Sequence, residues 1–474
     1  MVLFIVLILN FSLAEAKKVK TYALKTESAQ AATKQIESIL KSQGLDLAHV
    51  SLEIRDEADE ILADIHSKEK KMPASISKLL TSYAVLKKFP LGSKFLTQVY
   101  RDKKNLYLKG GGDPSFVSEN MWFLVNQLTR SNLKGLNGDI VVDDYLFDQV
   151  RFDESREDKR VDRAYDSPVG AMSFNWNAVN VFVKPTQPGE KAQVVIDPEN
   201  GYFELRNKTE TVSRLPKKEL VISISNSEKT ITVSGEIAAN SSEKAIFKSV
   251  SEPDLWSGVN LAAFLKQRGI SMNGAIRHGV VPKDAELLAT FESKNLSYIL
   301  ADMNKFSNNF VAEMLTKNLA AQQKLLNAKD FSKLEASLKE GVDIIRSTLI
   351  QLGLNNNDFE ISNPSGFTRQ NRLSAYALNK VLLAIKNDFT LYPTLLESLP
   401  IAGIDGTLKK RMKDSAAQGY VRAKTGFLNG VVTMAGYAGR KDGRVYTFSF
   451  LYNGPRDEHI VREAFDQILV SSLK

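Results

Sequence analysis

The sequence predicts an α+β protein whose main domain is assembled from both ends of the chain, with a mostly β region inserted between them. Three observations predict it. Helical periodicity marks the stretch after Pro73 and returns from about residue 290. Short β-patterned runs separated by Gly, Pro, Asn and Asp fill roughly 96–289. Two strands and a closing helix then occupy the C-terminal part. At 474 residues the chain exceeds what one core usually organises, so more than one domain is expected. The boundaries predicted are 17–95 plus 290–474 for the main domain and 96–289 for the insert, with a nested small β unit at about 175–255.

In chain order, residues 1–16, MVLFIVLILNFSLAEA, hold an apolar run from Val2 to Leu9 and end in Ala14-Glu15-Ala16, a small-x-small pattern that signal peptidase accepts. The run is short for a bilayer span, so export with cleavage is expected rather than a transmembrane anchor. Residues 50–66 read as two strands around a polar turn. They lead through KEKKMP into an amphipathic helix whose apolar Ile76, Leu79, Leu80, Tyr83 and Leu86 recur at helical spacing. The insert supplies NLYLKGGGDPSF, GDIVVDDYLFD, AVNVFVKPTQPGEK, KELVISISN and KTITVSGEI as strand signals. LSYILADMNKFSNNFVAEMLTKNLAAQQ and KLEASLKEGVDIIRSTLIQLG read as helices. GVVTMAGYAGRKDGRVYTFSFLYNG reads as two antiparallel strands turning at Arg440-Lys441-Asp442-Gly443, and EHIVREAFDQILVSSL as a last amphipathic helix.

The composition, 43% hydrophobic and 25% charged, is that of a globular protein. Cysteine is absent, which removes disulfides, thiolate zinc sites and a cysteine nucleophile together. An exported chain without cysteine suits a bacterial envelope. The formal charge of +8 rises by one if residues 1–16 leave, since they carry only Glu15. No Arg/Lys cluster interleaved with aromatics accompanies that charge, so nucleic acid is disfavoured. His49, His66, His278 and His459 are far apart in sequence and none has a second ligand at helical spacing, so neither a histidine metal site nor a histidine base is supported.

Ser75-Ile76-Ser77-Lys78 fits S-x-x-K, but so do Ser38 to Lys41, Ser67 to Lys70, Ser131 to Lys134 and Ser241 to Lys244. Ser75 alone could be a helix cap. What separates it from its rivals is context. It follows Pro73 at a helix start, so Ser75 and Lys78 share a face. Ser307-Asn308-Asn309 lies between two helical stretches, and Lys424-Thr425-Gly426 opens a strand. K-T-G occurs once, where chance supplies roughly a tenth to a few tenths of a match; S-x-N is weaker, since Ser173 to Asn175 and Ser293 to Asn295 also match.

The order S-x-x-K, S-x-N, K-T-G is the signature of serine enzymes that acylate on penicillin and D-alanyl-D-alanine peptides. With NLYLKGGGDPSF, GDIVVDDYLFD, SPVGAMSFNWNAVNV, FSNNFVAEML, NPSGFTRQNRLS and LPIAGIDGTLKKRM, the chain resembles the class C low-molecular-mass penicillin-binding proteins, the D-alanyl-D-alanine carboxypeptidase/endopeptidase family, over essentially its whole mature length. The resemblance implies a serine β-lactamase/transpeptidase-like domain, an antiparallel sheet flanked by helices, working on peptidoglycan in the periplasm. It implies inhibition by β-lactams and no cofactor or metal.

A serine hydroxyl needs a neighbouring base. Lys78, one turn on, is assigned that role, with burial and the like charge of Lys424 expected to lower its pKa. The resemblance implies that Ser307 relays a proton to the leaving amine with Lys424, that Asn309 contacts Lys78 and the substrate amide, and that the K-T-G strand pairs with the substrate backbone. The backbone N–H groups of Ser75 and Phe427 would form an oxyanion hole. Phe427 departs from the pattern, since relatives carry Thr or Ser there and use its hydroxyl on the substrate carboxylate. Thr425 or Arg369 is the candidate to carry that contact here. Gly110 to Gly112 lacks the downstream Gly-Lys-Ser/Thr of a phosphate loop and reads as a tight turn; Asp143-Asp144 and Asp405 read as structural.

Two alternatives remain. A β-lactamase is disfavoured by the absence of E-x-x-L-N between Asn309 and Lys424 and by the long stretch from Ser75 to Ser307. A non-hydrolytic β-lactam sensor or wall scaffold is disfavoured because all seven motif residues are present and no transmembrane segment follows residue 16.

Overall fold

The computed structural model describes residues 28–473 apart from 132, 134, 157–166 and 329–331. The expected leader, residues 1–16, and Lys134 lie outside the described residues. A helix over 28–42 (α1) buries Ile36 and Leu40. β1 (Val50–Arg55) and β2 (Ile61–Ile65) pair antiparallel, and the carboxylate of Asp56 closes their turn by accepting from the amides of Ala58 and Glu60.

A 3₁₀ turn, Ala74–Ser77, then feeds α2 (Lys78–Lys88). Apolar spacing predicts one buried face, but every residue from Lys78 to Leu86 is buried. The polar positions that mimic a solvent face are satisfied internally. Thr81 Oγ1 donates to the Pro364 carbonyl at 2.9 Å and Ser82 Oγ accepts from Asn304 at 3.1 Å.

The insert begins with β3 (Leu96–Arg101), β4 (Leu106–Lys109), α3 (Ser118–Arg130), β5 (Gly135–Leu136) and β6 (Ile140–Asp143). β7 (Ala178–Lys184), β8 (Gln193–Asp197), β9 (Glu204–Val212), β10 (Val221–Ser225), β11 (Thr230–Ala238) and β12 (Lys244–Ser249) form two three-stranded sheets, ordered β12-β7-β8 and β10-β11-β9. The chain returns through α4 (Pro253–Gln267), β13 (Ser271–Met272), β14 (Ile276–His278) and β15 (Glu286–Glu292), completing a five-stranded sheet, β14-β6-β4-β3-β15. The strand-patterned reading passes over α3 and α4. In α4 the buried positions include Ser257, Gly258 and Asn260 as well as Trp256 and Leu261, which blurs an apolar stripe. Gly258 lets α4 approach the sheet, since a methyl there would meet Ile276 Cγ2 at 2.6 Å and Val142 Cγ2 at 2.9 Å. One apolar core runs from Val99 and Val142 through Val181 to Ile231 and Val233, so the small sheets share it with the rest of the insert.

α5 (Leu296–Lys305), α6 (Asn309–Asn327) and α7 (Leu338–Gln351) follow, the last fixed by a capping box between Ser337 and Glu340. β16 (Phe359–Glu360) and β17 (Arg372–Leu373) pair briefly, then come α8 (Ala375–Lys386) and α9 (Tyr392–Ser398). β18 (Val421–Leu428), β19 (Val431–Gly439), β20 (Val445–Asn453) and α10 (Glu458–Ser472) end the chain. The second five-stranded sheet has the order β18-β19-β20-β1-β2, with β1 and β20 in antiparallel register at Leu52↔Phe450. Strands from the two ends of the chain thus share one sheet. One face packs Ala435, Tyr437 and Leu451 against a helical core holding residues of α2, α6, α7 and α8; the other packs Met434, Phe448 and Phe450 against α1 and α10.

Candidate active site

Pro73 leads into the 3₁₀ turn through Ala74, which adopts φ of +49°, a left-handed conformation unusual for alanine. Such strain persists only where surroundings over-determine it. Here they do. Gly366 (φ +77°) packs so closely that a methyl on it would lie 1.9 Å from the Ala74 carbonyl oxygen, and Thr433 Oγ1 on β19 donates to the Pro73 carbonyl at 2.7 Å. Ser75 is therefore presented half-buried on a rigid turn ahead of α2, and the turn has no side-chain cap hydrogen bond. The Ser75 hydroxyl does not serve as a helix cap.

One helical turn on, Lys78 is fully buried. Its Nζ lies 3.1 Å from Ser75 Oγ and donates to Asn309 Oδ1 at 2.7 Å and to the Ser365 carbonyl at 2.6 Å. Asn309 is positioned because Asn308 caps α6, its side chain accepting from Val311 N, which makes Asn309 the first residue of that helix. Ser307 occupies the sharp corner between α5 and α6 at φ +56°. The S-N-N run thus divides its work between a corner, a cap and a lysine ligand.

On the opposite wall stands β18, an edge strand of the second sheet. Lys424 is fully buried and its Nζ donates to Ser307 Oγ at 2.9 Å and to the Thr425 carbonyl at 2.7 Å. Burial pushes the Lys424 amine down to about 7. Thr425 Oγ1 bonds Thr407 Oγ1 at 2.7 Å. Gly426 is needed for close approach, because a methyl there would sit 2.9 Å from Ser75 N, 2.8 Å from Pro73 O and 2.2 Å from Thr433 Oγ1. β18 and the Ala74–Ser77 turn are thereby held side by side. Phe427 is exposed, and the Arg462 guanidinium of α10 lies 5.1 Å from its ring centroid.

Seven of the nine residues singled out in the sequence, Ser75, Lys78, Asn309, Ser307, Lys424, Thr425 and Gly426, are linked by these contacts. Arg369 stands apart, donating to the Asn429 carbonyl at the β18–β19 turn at 3.1 Å, and Phe427 lies at the rim. The lowered lysine is Lys424, and the cause is desolvation by burial. Among the rival S-x-x-K serines, Ser67 Oγ donates to Asp64 while Lys70 pairs with Glu360, and Lys41 pairs with Glu37. Gly112 turns at φ +75°, Asp144 pairs with Arg151, Asp143 accepts from the Tyr145 and Val281 amides, and Asp405 pairs with Lys305 at 2.5 Å. Among the described residues no group of three or more His, Asp or Glu could hold a metal. The sequence reading did not find Ser365, Thr407, Thr433, Gly366 or Arg462. Ser365, Gly366 and Thr407 lie within NPSGFTR and GIDGT, stretches that carried the family resemblance, but a backbone carbonyl acting as a lysine ligand leaves no side-chain signature.

The model of the D-Ala-D-Ala carboxypeptidase 3 (S13) family matches residues 32–472. A D-alanyl-D-alanine carboxypeptidase of Actinomadura sp. (strain R39) is 30% identical over 442 residues, covering 88% of this chain and 80% of the relative. The carboxypeptidase DacB of Haemophilus influenzae is 25% identical, covering 84% of this chain and 83% of its own. The crystal structure of penicillin-binding protein 4 (dacB) from the same organism superposes with a TM-score of 0.74 at 23% identity, covering 89% of this chain and 95% of that one.

Proposed function

The chain belongs to the D-Ala-D-Ala carboxypeptidase 3 (S13) family, and we propose that it acts through an acyl-enzyme on Ser75 as a serine DD-peptidase of peptidoglycan stem peptides. The observation that carries this reading is the position of Ser75 Oγ, 3.1 Å from the buried Lys78 amine and beside the strand that carries Lys424 and Gly426.

Ser75 Oγ attacks the carbonyl carbon of the penultimate D-alanine while its proton passes to Lys78 Nζ. Asn309 Oδ1 and the Ser365 carbonyl hold that nitrogen in line. The oxyanion of the tetrahedral intermediate is received by the amides of Ser75 and Phe427. As the intermediate collapses, the C–N bond breaks and Ser307 Oγ hands its proton to the departing amine, replenished from the Lys424 amine 2.9 Å away. The proton held on Lys78 passes back to Lys424, which restores both amines; water then attacks the ester on Ser75, Lys78 takes the water's proton and returns it to Ser75 Oγ as the ester C–O bond breaks, and the shortened peptide leaves. Penicillin enters by the same attack on its strained amide.

An edge strand at the cleft leaves room for an extended peptide to pair alongside β18, which supports DD-endopeptidase cleavage of crosslinks as well as removal of terminal D-alanine. The apolar run and small-x-small pattern of residues 1–16 support a periplasmic site of action. Among the described residues no helix is long and apolar enough to cross a membrane. For the organisation of the chain we propose the division 17–95 plus 290–474 and 96–289 argued above.

The test is to incubate the mature protein and Ser75→Ala with crosslinked muropeptides and read the products by mass. Wild type alone should release D-alanine or resolve crosslinks. Unchanged muropeptides together with labelling of Ser75 by a fluorescent penicillin would replace the hydrolase with a sensor or scaffold.

A further inference from the structure

Phe427 offers its amide to the oxyanion hole but no side-chain donor. Along β18 side chains alternate between faces, so Thr425 and Phe427 share one face while Lys424 and Gly426 share the other. On the first face lies α10. Phe427 stands opposite Val432 on β19, and Val432 packs in one core with Phe465 of α10. From the same helix the guanidinium of Arg462 reaches over the Phe427 ring. Its ion-pair partner, Glu458, is 3.5 Å away on the preceding turn, and both side chains are about one-third exposed, 33% and 38%. A guanidinium carries five N–H donors, and one loose ion pair leaves the outer edge of the fork open. The other candidates are engaged: Thr425 Oγ1 with Thr407, Arg369 with the Asn429 carbonyl, and Lys424 with Ser307.

We infer that Arg462, braced on Phe427, recognises a carboxylate of the peptide that lies along β18. The inference rests on the DD-peptidase reading. A stem peptide offers that chemistry from two places, the α-carboxylate of the leaving residue and the side-chain carboxylate of a diamino diacid that precedes the penultimate D-alanine. Both lie within a residue of the scissile bond, as Arg462 lies one side chain from the oxyanion-hole amide.

The experiment compares wild type, Arg462→Ala and Arg462→Lys on four peptides ending in diamino acid-D-Ala-D-Ala, with the leaving-end carboxylate free or amidated and the diamino acid carboxylate free or amidated. Wild type should prefer one free carboxylate. Arg462→Ala should cut kcat/KM about ten- to hundredfold for peptides carrying that carboxylate, the size of a lost charge-assisted hydrogen bond, and about threefold or less for those amidated there. Which amidation abolishes the difference identifies the carboxylate. Arg462→Lys should retain part of the preference, and adding Phe427→Thr to Arg462→Ala should restore part of it by supplying a hydroxyl. An equal loss on all four peptides is the mark of a structural role and overturns the assignment. So does an unchanged preference in Arg462→Ala. Wild type that cleaves none of the four while penicillin labels Ser75 overturns the peptidase reading itself.

Discussion

At the scale of single residues the two lysines are not equivalent. Lys78 is wedged among three oxygen partners at 2.6–3.1 Å, whereas Lys424 meets Ser307 and a carbonyl inside a dry wall that pushes its amine down to about 7. At neutral pH roughly half of the Lys424 population is then still charged and able to replenish the Ser307 proton. The rate constant for penicillin acylation of Ser75 should fall along a limb centred near pH 7 as the donor form is lost, and Lys424→Arg, which does not give up its proton, should lose that limb and at least about tenfold in rate. A wild-type profile that is flat from about pH 6 to pH 8 would remove Lys424 from the proton path. The same group ties stability to pH. Its folded pKa of about 7 lies below the ordinary 10.5, so between those values the unfolded chain binds the extra proton. This residue therefore adds stability as pH rises through that window, and the contribution is absent below about 7.

At the scale of elements, the turn that carries Ser75 is shaped by its neighbours rather than by its own sequence. S-x-x-K, S-x-N and K-T-G were legible because each is a side-chain pattern on a short span. The strain at Ala74 and the glycine that presses on it were not, because Gly366 lies far away in the chain and acts through the absence of a side chain. Gly366→Ala should destabilise the fold by about 1–3 kcal/mol and slow penicillin labelling more than tenfold, since its methyl would collide with the Ala74 carbonyl. Gly443→Ala is the matched comparison. It too has positive φ, +89°, but open space around it, so it should cost about 1 kcal/mol and leave labelling alone. Equal labelling in both variants would show that the turn does not depend on Gly366. α2 gives the complementary lesson. Its polar residues suggested a solvent face, and only the Pro364 carbonyl and the Asn304 amide, supplied from distant segments, explain why Thr81 and Ser82 are inside.

At the scale of the whole molecule, the insert is wired to Lys78. The Arg156 guanidinium pairs with Glu313 of α6 at 3.0 and 2.5 Å, both side chains 2% exposed. Asn363 donates to Asp153 at 2.5 Å and to Glu313 at 3.3 Å, while its Oδ1 accepts from Ser365 N at 2.8 Å. Ser365 in turn holds Lys78 through its carbonyl. Glu313→Gln takes a buried carboxylate charge away from the Arg156 guanidinium and should lower unfolding free energy by about 3–5 kcal/mol, read by urea denaturation. A loss below about 1 kcal/mol would mean that the pair contributes little to joining the two regions. Nothing in the sequence pairs Arg156 with Glu313, because ion pairs across a long insertion leave no spacing signal. The sheet that unites the chain's ends was legible in outline, since both ends carry strand patterns, but the order β18-β19-β20-β1-β2 was not.

That order also sets a timetable. β20, among the last segments to be synthesised, fills the gap between β19 and the hairpin made near the start. A growing chain, emerging N terminus first, displays Ser75 and Lys78 long before Lys424 and Gly426 exist to face them. A nascent or truncated molecule that stops before β18 therefore lacks the whole wall, Lys424, Gly426 and the Phe427 amide included, against which the Ser75 turn packs.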